Sequence, residues 1–147
     1  MSVFVNPFTD FGFKRIFGQE DSKKFLIAFL NALFEGEFII TDLIYNDKER
    51  LGQITQERGV LFDIYCTLSD GRHFILEMQN QKQLYFDARA LYYASKAIVS
   101  QGKKGAWNYS YCPVIGVYFM NFNEERLGQA YRIDFSMART KEVFVEQ

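Results

Sequence analysis

Residues 59–81 read GVLFDIYCTLSDGRHFILEMQNQ, and the reading of this stretch decides the fold. Two runs rich in β-branched and aromatic residues, 60–68 and 72–79, flank Ser69, Asp70 and Gly71. The pattern predicts two antiparallel strands joined by a three-residue hairpin loop, with Gly71 in the left-handed position. Loop length sets the register. If Leu68 pairs with Arg72, Asp63 falls opposite Glu77, and Gln79 shares their face because strand side chains alternate. Met78 then points the other way. A two-residue loop would shift the pairing by one and send the two acids to opposite faces.

Carboxylates facing each other between apolar strands repel, and buried charges need partners. Phe62, Ile64, Phe74, Ile75 and Leu76 argue for burial on at least one side. A hard divalent cation relieves both costs, since Mg²⁺ is commonly held by one or two carboxylates plus substrate phosphate. Without metal, mutual repulsion should raise the pKa of one acid. The competing reading is a solvent-facing strand that merely carries acids.

Working outward from the hairpin, residues 84–101 read as a helix with Ala88, Leu91, Tyr92, Ser95, Ile98 and Val99 as its stripe; Arg89 and Tyr93 lie one turn apart on a shared face. Residues 111–119, YCPVIGVYF, read as a buried strand. Upstream, Thr9 or Asp10 can cap a short helix that Gly18 ends. Residues 21–34 form a helix whose face is Phe25, Leu26, Phe29, Leu30 and Leu33, capped by Asp21 or Ser22. Lys23 and Lys24 at its start read as solvated surface. Residues 38–45 read as a strand, 46–56 as a polar loop and 131–135 as a further strand. The order of helix, strand, hairpin, helix and strand predicts an α/β sandwich around a mixed sheet.

One domain accommodates 147 residues. With 48% hydrophobic and 18% aromatic residues, the composition argues against intrinsic disorder. The formal charge of −1 argues against a strongly electrostatic nucleic-acid binder. Cys66, Cys112 and the single His73 lack zinc spacing, and both cysteines read as buried small hydrophobes in a reducing compartment. No signal peptide or membrane-length apolar run is evident, so the expected location is the cytoplasm, away from membranes.

An Asp on one strand followed by Glu-x-Gln on the next, the opening NPFTDFGFKRIFG of residues 6–18, and the later helix with Arg89 and Tyr93 together resemble the PD-(D/E)XK nuclease family transposases, relatives of recombination-promoting nucleases. The resemblance spans nearly the whole chain. It implies a single nuclease-like domain over residues 1–147 with a restriction-endonuclease-like αβββαβ core. Because family members run longer, it also implies a chain truncated at its C-terminus. It further implies a Mg²⁺-dependent DNA endonuclease, Mn²⁺ substituting, with a role in recombination or transposition. Asp63 and Glu77 would bind metal, joined by the Met78 backbone carbonyl, and Gln79 would complete the catalytic set. Gln79 stands where most of the superfamily has Lys, and an amide carries no positive charge. Lys14, Arg58, Arg89 or a second metal would supply it. Asp10, Lys14, Arg58, Arg89 and Tyr93 become supporting or phosphate-binding positions. The alternative is a catalytically inactive module that binds DNA or a protein partner. A homodimer suits the cutting of two strands, although nothing in the sequence sets its symmetry.

Overall fold

The computed structural model describes residues 4–46 and 63–122. The hairpin forms as its loop length requires. Strands β2 (Ile64–Leu68) and β3 (His73–Gln79) pair antiparallel, with Ile64 opposite Leu76, Tyr65 opposite Ile75 and Thr67 opposite His73. The Leu68 amide donates to the Arg72 carbonyl at 2.8 Å. Gly71 turns the chain at φ +91°, a backbone conformation that penalises a side chain.

Among the described residues the sheet has four strands in the order β1-β2-β3-β4, where β1 is Leu43–Tyr45 and β4 is Val114–Met120. β1 runs antiparallel to β2, and β4 runs parallel to β3. A parallel neighbour needs a crossover, and helix α3 (Phe86–Val99) provides it. Helices α1 (Asp10–Phe17) and α2 (Lys23–Leu33) precede the sheet. The result is an α/β fold with helices on both faces, the restriction-endonuclease-like arrangement the sequence predicts.

The alternation of the hairpin divides the molecule. Ile64, Cys66, Leu68, Phe74 and Leu76 face α1 and α2 and form the main core with Phe13, Leu26 and Leu30. Rings of Phe13, Phe17, Phe29 and Phe119 pack at 5.3–5.4 Å between centroids, which fixes α1 against α2 and β4. The opposite face is smaller. Tyr65 and Ile75 pack there on Ala97 of α3, with Tyr93 and Val114 at the margin.

Several elements depart from the sequence reading. The strand expected over 38–45 shortens to three residues: Leu43 already pairs with Leu68, the last residue of β2, so residues 38–42 run past the hairpin loop, and the Asn31 side chain takes up the Ile40 backbone there, accepting its N–H at 2.7 Å and donating to its C=O at 2.9 Å. Backbone groups bonded to a side chain cannot join the ladder. The second helix opens with a 3₁₀ turn, Glu20–Ser22, and neither expected cap operates: the Ser22 hydroxyl donates to the Gln19 carbonyl. Phe25 is exposed beneath Lys24 instead of belonging to the buried face. Lys23 pairs with Asp42 at 2.9 Å and Glu20 at 3.2 Å. On α3 the buried stripe is not the expected one. Leu91 and Val99 are exposed, and the inward row is Arg89, Tyr93 and Ala97, spaced by one turn. Cys66 is buried as expected, but Cys112 is only half-buried, with its N–H and C=O both bonded to the Gln101 side chain. The expected strand at 131–135, most of the 46–56 loop, the C-terminal segment and Arg58 lie outside the described residues. Among the described residues, no helix is long and apolar enough to cross a membrane.

Candidate active site

Among the described residues the β2–β3 ladder reaches Ile64–Leu76. Next to that pair, side chains bond the backbone of the opposite arm. The Asp63 amide donates to Glu77 Oε1 at 3.1 Å, and the Met78 amide donates to Asp63 Oδ2 at 2.8 Å. Gln79 Nε2 donates to Glu77 Oε2 at 3.3 Å. Asp63, Glu77 and Gln79 thus converge on the α3 face at the end of the hairpin far from its loop. Each is buried, at 9%, 5% and 4% exposure respectively, a depth at which charged groups need compensation.

Helix α1 delivers the compensating charge. Thr9 caps it by accepting from the Gly12 amide at 2.9 Å. The chain at Asn6 folds back so closely that a Cβ on Gly12 would stand 1.8 Å from the Asn6 carbonyl oxygen. Only glycine fits, which accounts for the spacing in NPFTDFG. Asp10 and Lys14 then share a helix face, with Lys14 Nζ at 2.9 Å from Asp10 Oδ1. The same ammonium lies 2.9 Å from Asp63 Oδ1.

Helix α3 brings Arg89 and Tyr93 to the opposite wall. The Arg89 guanidinium lies over the Tyr93 ring at 5.6 Å, and its Nη1 donates to Gln83 Oε1. Two buried polar atoms lack a hydrogen-bond partner among the described residues: Gln79 Oε1 and Arg89 Nη2. Both residues line a cleft of about 370 Å³, together with Asp10, Asp63, Glu77, Met78, Asn80, Gln81, Gln83 and Tyr93.

The electrostatics follow from this packing. Burial, and then the neighbouring Asp63 charge, push the Glu77 carboxyl from its usual 4.5 to about 7. Repulsion between the acids was the expected cause; burial is the larger one. The Asp63 amide, Arg89 and Lys14 pull the other way. At Lys14, burial disfavours the ammonium, but hydrogen bonds and charge from Asp63 and Asp10 outweigh it, and the pKa rises. Tyr118, opposite Glu77 on β4, is pushed up to about 12 by burial first and Glu77 second, so its hydroxyl stays protonated.

Of the residues singled out from sequence, Asp10, Asp63, Glu77, Met78, Gln79, Arg89 and Tyr93 line this one cleft, and Lys14 reaches it through Asp63. Gln83 and Tyr118 were missed. The polar run NQKQ after β3 marks the first, while Tyr118 sits in an apolar strand and gives no sequence signal.

Among the described residues, no group of three or more His, Cys, Asp or Glu side chains could hold a metal ion. The protein therefore offers two carboxylates, the complement Mg²⁺ commonly takes while keeping waters and phosphate oxygens as its other ligands. Met78 directs its N–H toward Asp63. The C=O of the same strand residue faces the same neighbour, which leaves that carbonyl on the acid side.

A mixed sheet whose central hairpin presents one acid from each arm, flanked by helices on both faces, defines the class of PD-(D/E)XK nuclease folds. The family model described as PD-(D/E)XK nuclease family transposase matches residues 7–147. The chain belongs to that family. No curated protein and no solved structure matches it.

Proposed function

We propose that the protein is a Mg²⁺-dependent DNA endonuclease that hydrolyses phosphodiester bonds, with Mn²⁺ able to substitute, in reactions that promote recombination or transposition. One observation carries this reading. Two buried carboxylates from adjacent strands are held together by backbone amides and open onto a polar cleft. Burial raises Glu77, and a perturbed buried carboxyl lining a cleft is a mark of a functional site. The hard-oxygen donor set and the unpartnered Gln79 Oε1 fit a hydrated cation.

Asp63 and Glu77 would hold the cation, with the Met78 carbonyl as a further donor. When bound, Mg²⁺ supplies charge neutralisation at the phosphate and a more acidic water. Gln79, anchored to Glu77 through Nε2, offers Oε1 as an acceptor that orients a water for attack. Arg89 offers Nη2 to a phosphate oxygen, and its stacking on Tyr93 and bond to Gln83 pre-organise it. Lys14, which reaches both Asp10 and Asp63, adds positive charge at the edge of the cleft, which the glutamine cannot provide. The formal charge of −1 leaves the whole molecule a weak attractor of DNA, so binding relies on these local cations.

The test is Mn²⁺-dependent nicking of supercoiled plasmid. Cleavage by the wild type that disappears in Glu77→Ala is expected. Salt-sensitive DNA binding without metal-dependent cleavage would instead favour the inactive module, the reading that Gln79 at the lysine position supports.

A further inference from the structure

We propose that Lys14 is the resident counter-ion of the acid pair, which yields Asp63 to a divalent cation while Asp10 retains the released ammonium. This rests on the metal-dependent reading above and assigns roles to two residues within it. Asp63 has two carboxylate oxygens. Oδ2 is committed to the Met78 amide at 2.8 Å. Oδ1 is the oxygen that meets a cation here, with Lys14 Nζ at 2.9 Å. An ammonium and a divalent ion in contact with one oxygen repel strongly where water is scarce. Binding of one therefore weakens the other.

The ammonium has somewhere to go. Its Nζ lies 2.9 Å from Asp63 Oδ1, 2.9 Å from Asp10 Oδ1 and 3.1 Å from Asp10 Oδ2. Losing Asp63 leaves the Asp10 ion pair intact. The two partners also differ in setting: the Asp63 side chain is 12% exposed and that of Asp10 is 65% exposed. Asp63 is thus the partner whose negative charge must be matched by some cation, and Asp10 is a solvated partner that holds Lys14 in either state. The one-turn spacing on α1 makes this exchange possible without moving the helix.

The experiment is Mn²⁺ titration of the full chain by calorimetry at pH 8, alongside melting temperatures with and without Mn²⁺. Lys14→Met should bind Mn²⁺ about tenfold more tightly than wild type, although its metal-free melting temperature falls. A merely structural lysine would lower both. Lys14→Arg, which keeps a cation, and Lys24→Met, which removes the same charge away from the cleft, should stay within about twofold of wild type. Binding by Lys14→Met that is unchanged or weaker, or tightening of equal size in Lys24→Met, overturns the exchange. If Lys14→Met does not fold, Asp10→Asn serves. It removes the alternative partner and should weaken Mn²⁺ binding several-fold, whereas unchanged or tighter binding overturns the proposal. Asp63→Asn separates the two levels of argument. If wild type and Asp63→Asn bind Mn²⁺ equally or not at all, the metal-site reading itself fails, and the exchange fails with it.

Discussion

Both ends of the hairpin's α3 face are polar, and they differ in one respect. At the loop end, His73 Nδ1 lies 3.0 Å from the Thr67 hydroxyl and 3.1 Å from that of Tyr65, and Asn46 donates to Thr67 at 2.8 Å. Burial lowers the His73 pKa, so the ring is kept neutral among neutral partners. Tyr65 and Ile75 form an apolar middle. At the far end, Glu77 is raised to about 7, and Gln79 Oε1 and Arg89 Nη2 have no hydrogen-bond partner among the described residues. Polarity alone does not mark a site. A buried polar network whose groups bond one another contributes to the fold, while one left short of partners is suited to a ligand that completes it.

The largest expected effect separates the ends by activity. Glu77→Ala or Asp63→Ala should reduce metal-dependent nicking about a thousandfold. Activity retained within tenfold in both would erase the distinction.

A smaller effect concerns pH. The Glu77 carboxyl titrates near 7 in the folded protein and near 4.5 otherwise, so the native state binds the extra proton between those values. Its stabilising contribution is complete below about pH 4.5 and is lost as pH rises through about 7. Metal-free wild type should therefore lose roughly 3 kcal/mol relative to Glu77→Gln between pH 4 and pH 8. Denaturant melts at the two pH values measure this. Parallel profiles for both proteins would mean that Glu77 is not strained. Because bound metal requires the carboxylate, Mn²⁺ binding at pH 6 should also release a proton, visible as buffer-dependent heat.

The smallest effect is at the loop end. Thr67→Val removes a hydroxyl that serves both Asn46 and His73. It should cost about 1–2 kcal/mol in a urea melt and leave nicking unchanged. A large activity loss there with normal stability would place function at the wrong end.

What the sequence made legible follows from locality. The register across the loop depends on three residues and an alternating pattern, so the convergence of Asp63, Glu77 and Gln79 could be read directly. Asp10 and Lys14 were singled out as site positions only through the family resemblance; their pairing on α1 is a finding of the structure. The long-range decisions were hidden. Nothing in the spacing announces that Leu43 will pair with Leu68, which starts β1 late, or that Asn31 will take both backbone groups of Ile40. The inward row of α3 contains Arg89, so hydrophobic periodicity pointed to the wrong stripe; that row meets the cleft through Arg89 and Tyr93 and the apolar Tyr65 and Ile75 through Ala97. The contact of Lys14 with Asp63 joins residues from separate elements and was equally invisible, although both had been singled out.

The central claim is that the acid pair is a cation site, and the most direct measurement is anomalous scattering from crystals soaked in Mn²⁺. The account predicts a peak within about 2.5 Å of carboxylate oxygens of both Asp63 and Glu77, with the Lys14 ammonium withdrawn toward Asp10. A featureless cleft at saturating Mn²⁺, with Lys14 still seated on Asp63, would contradict it.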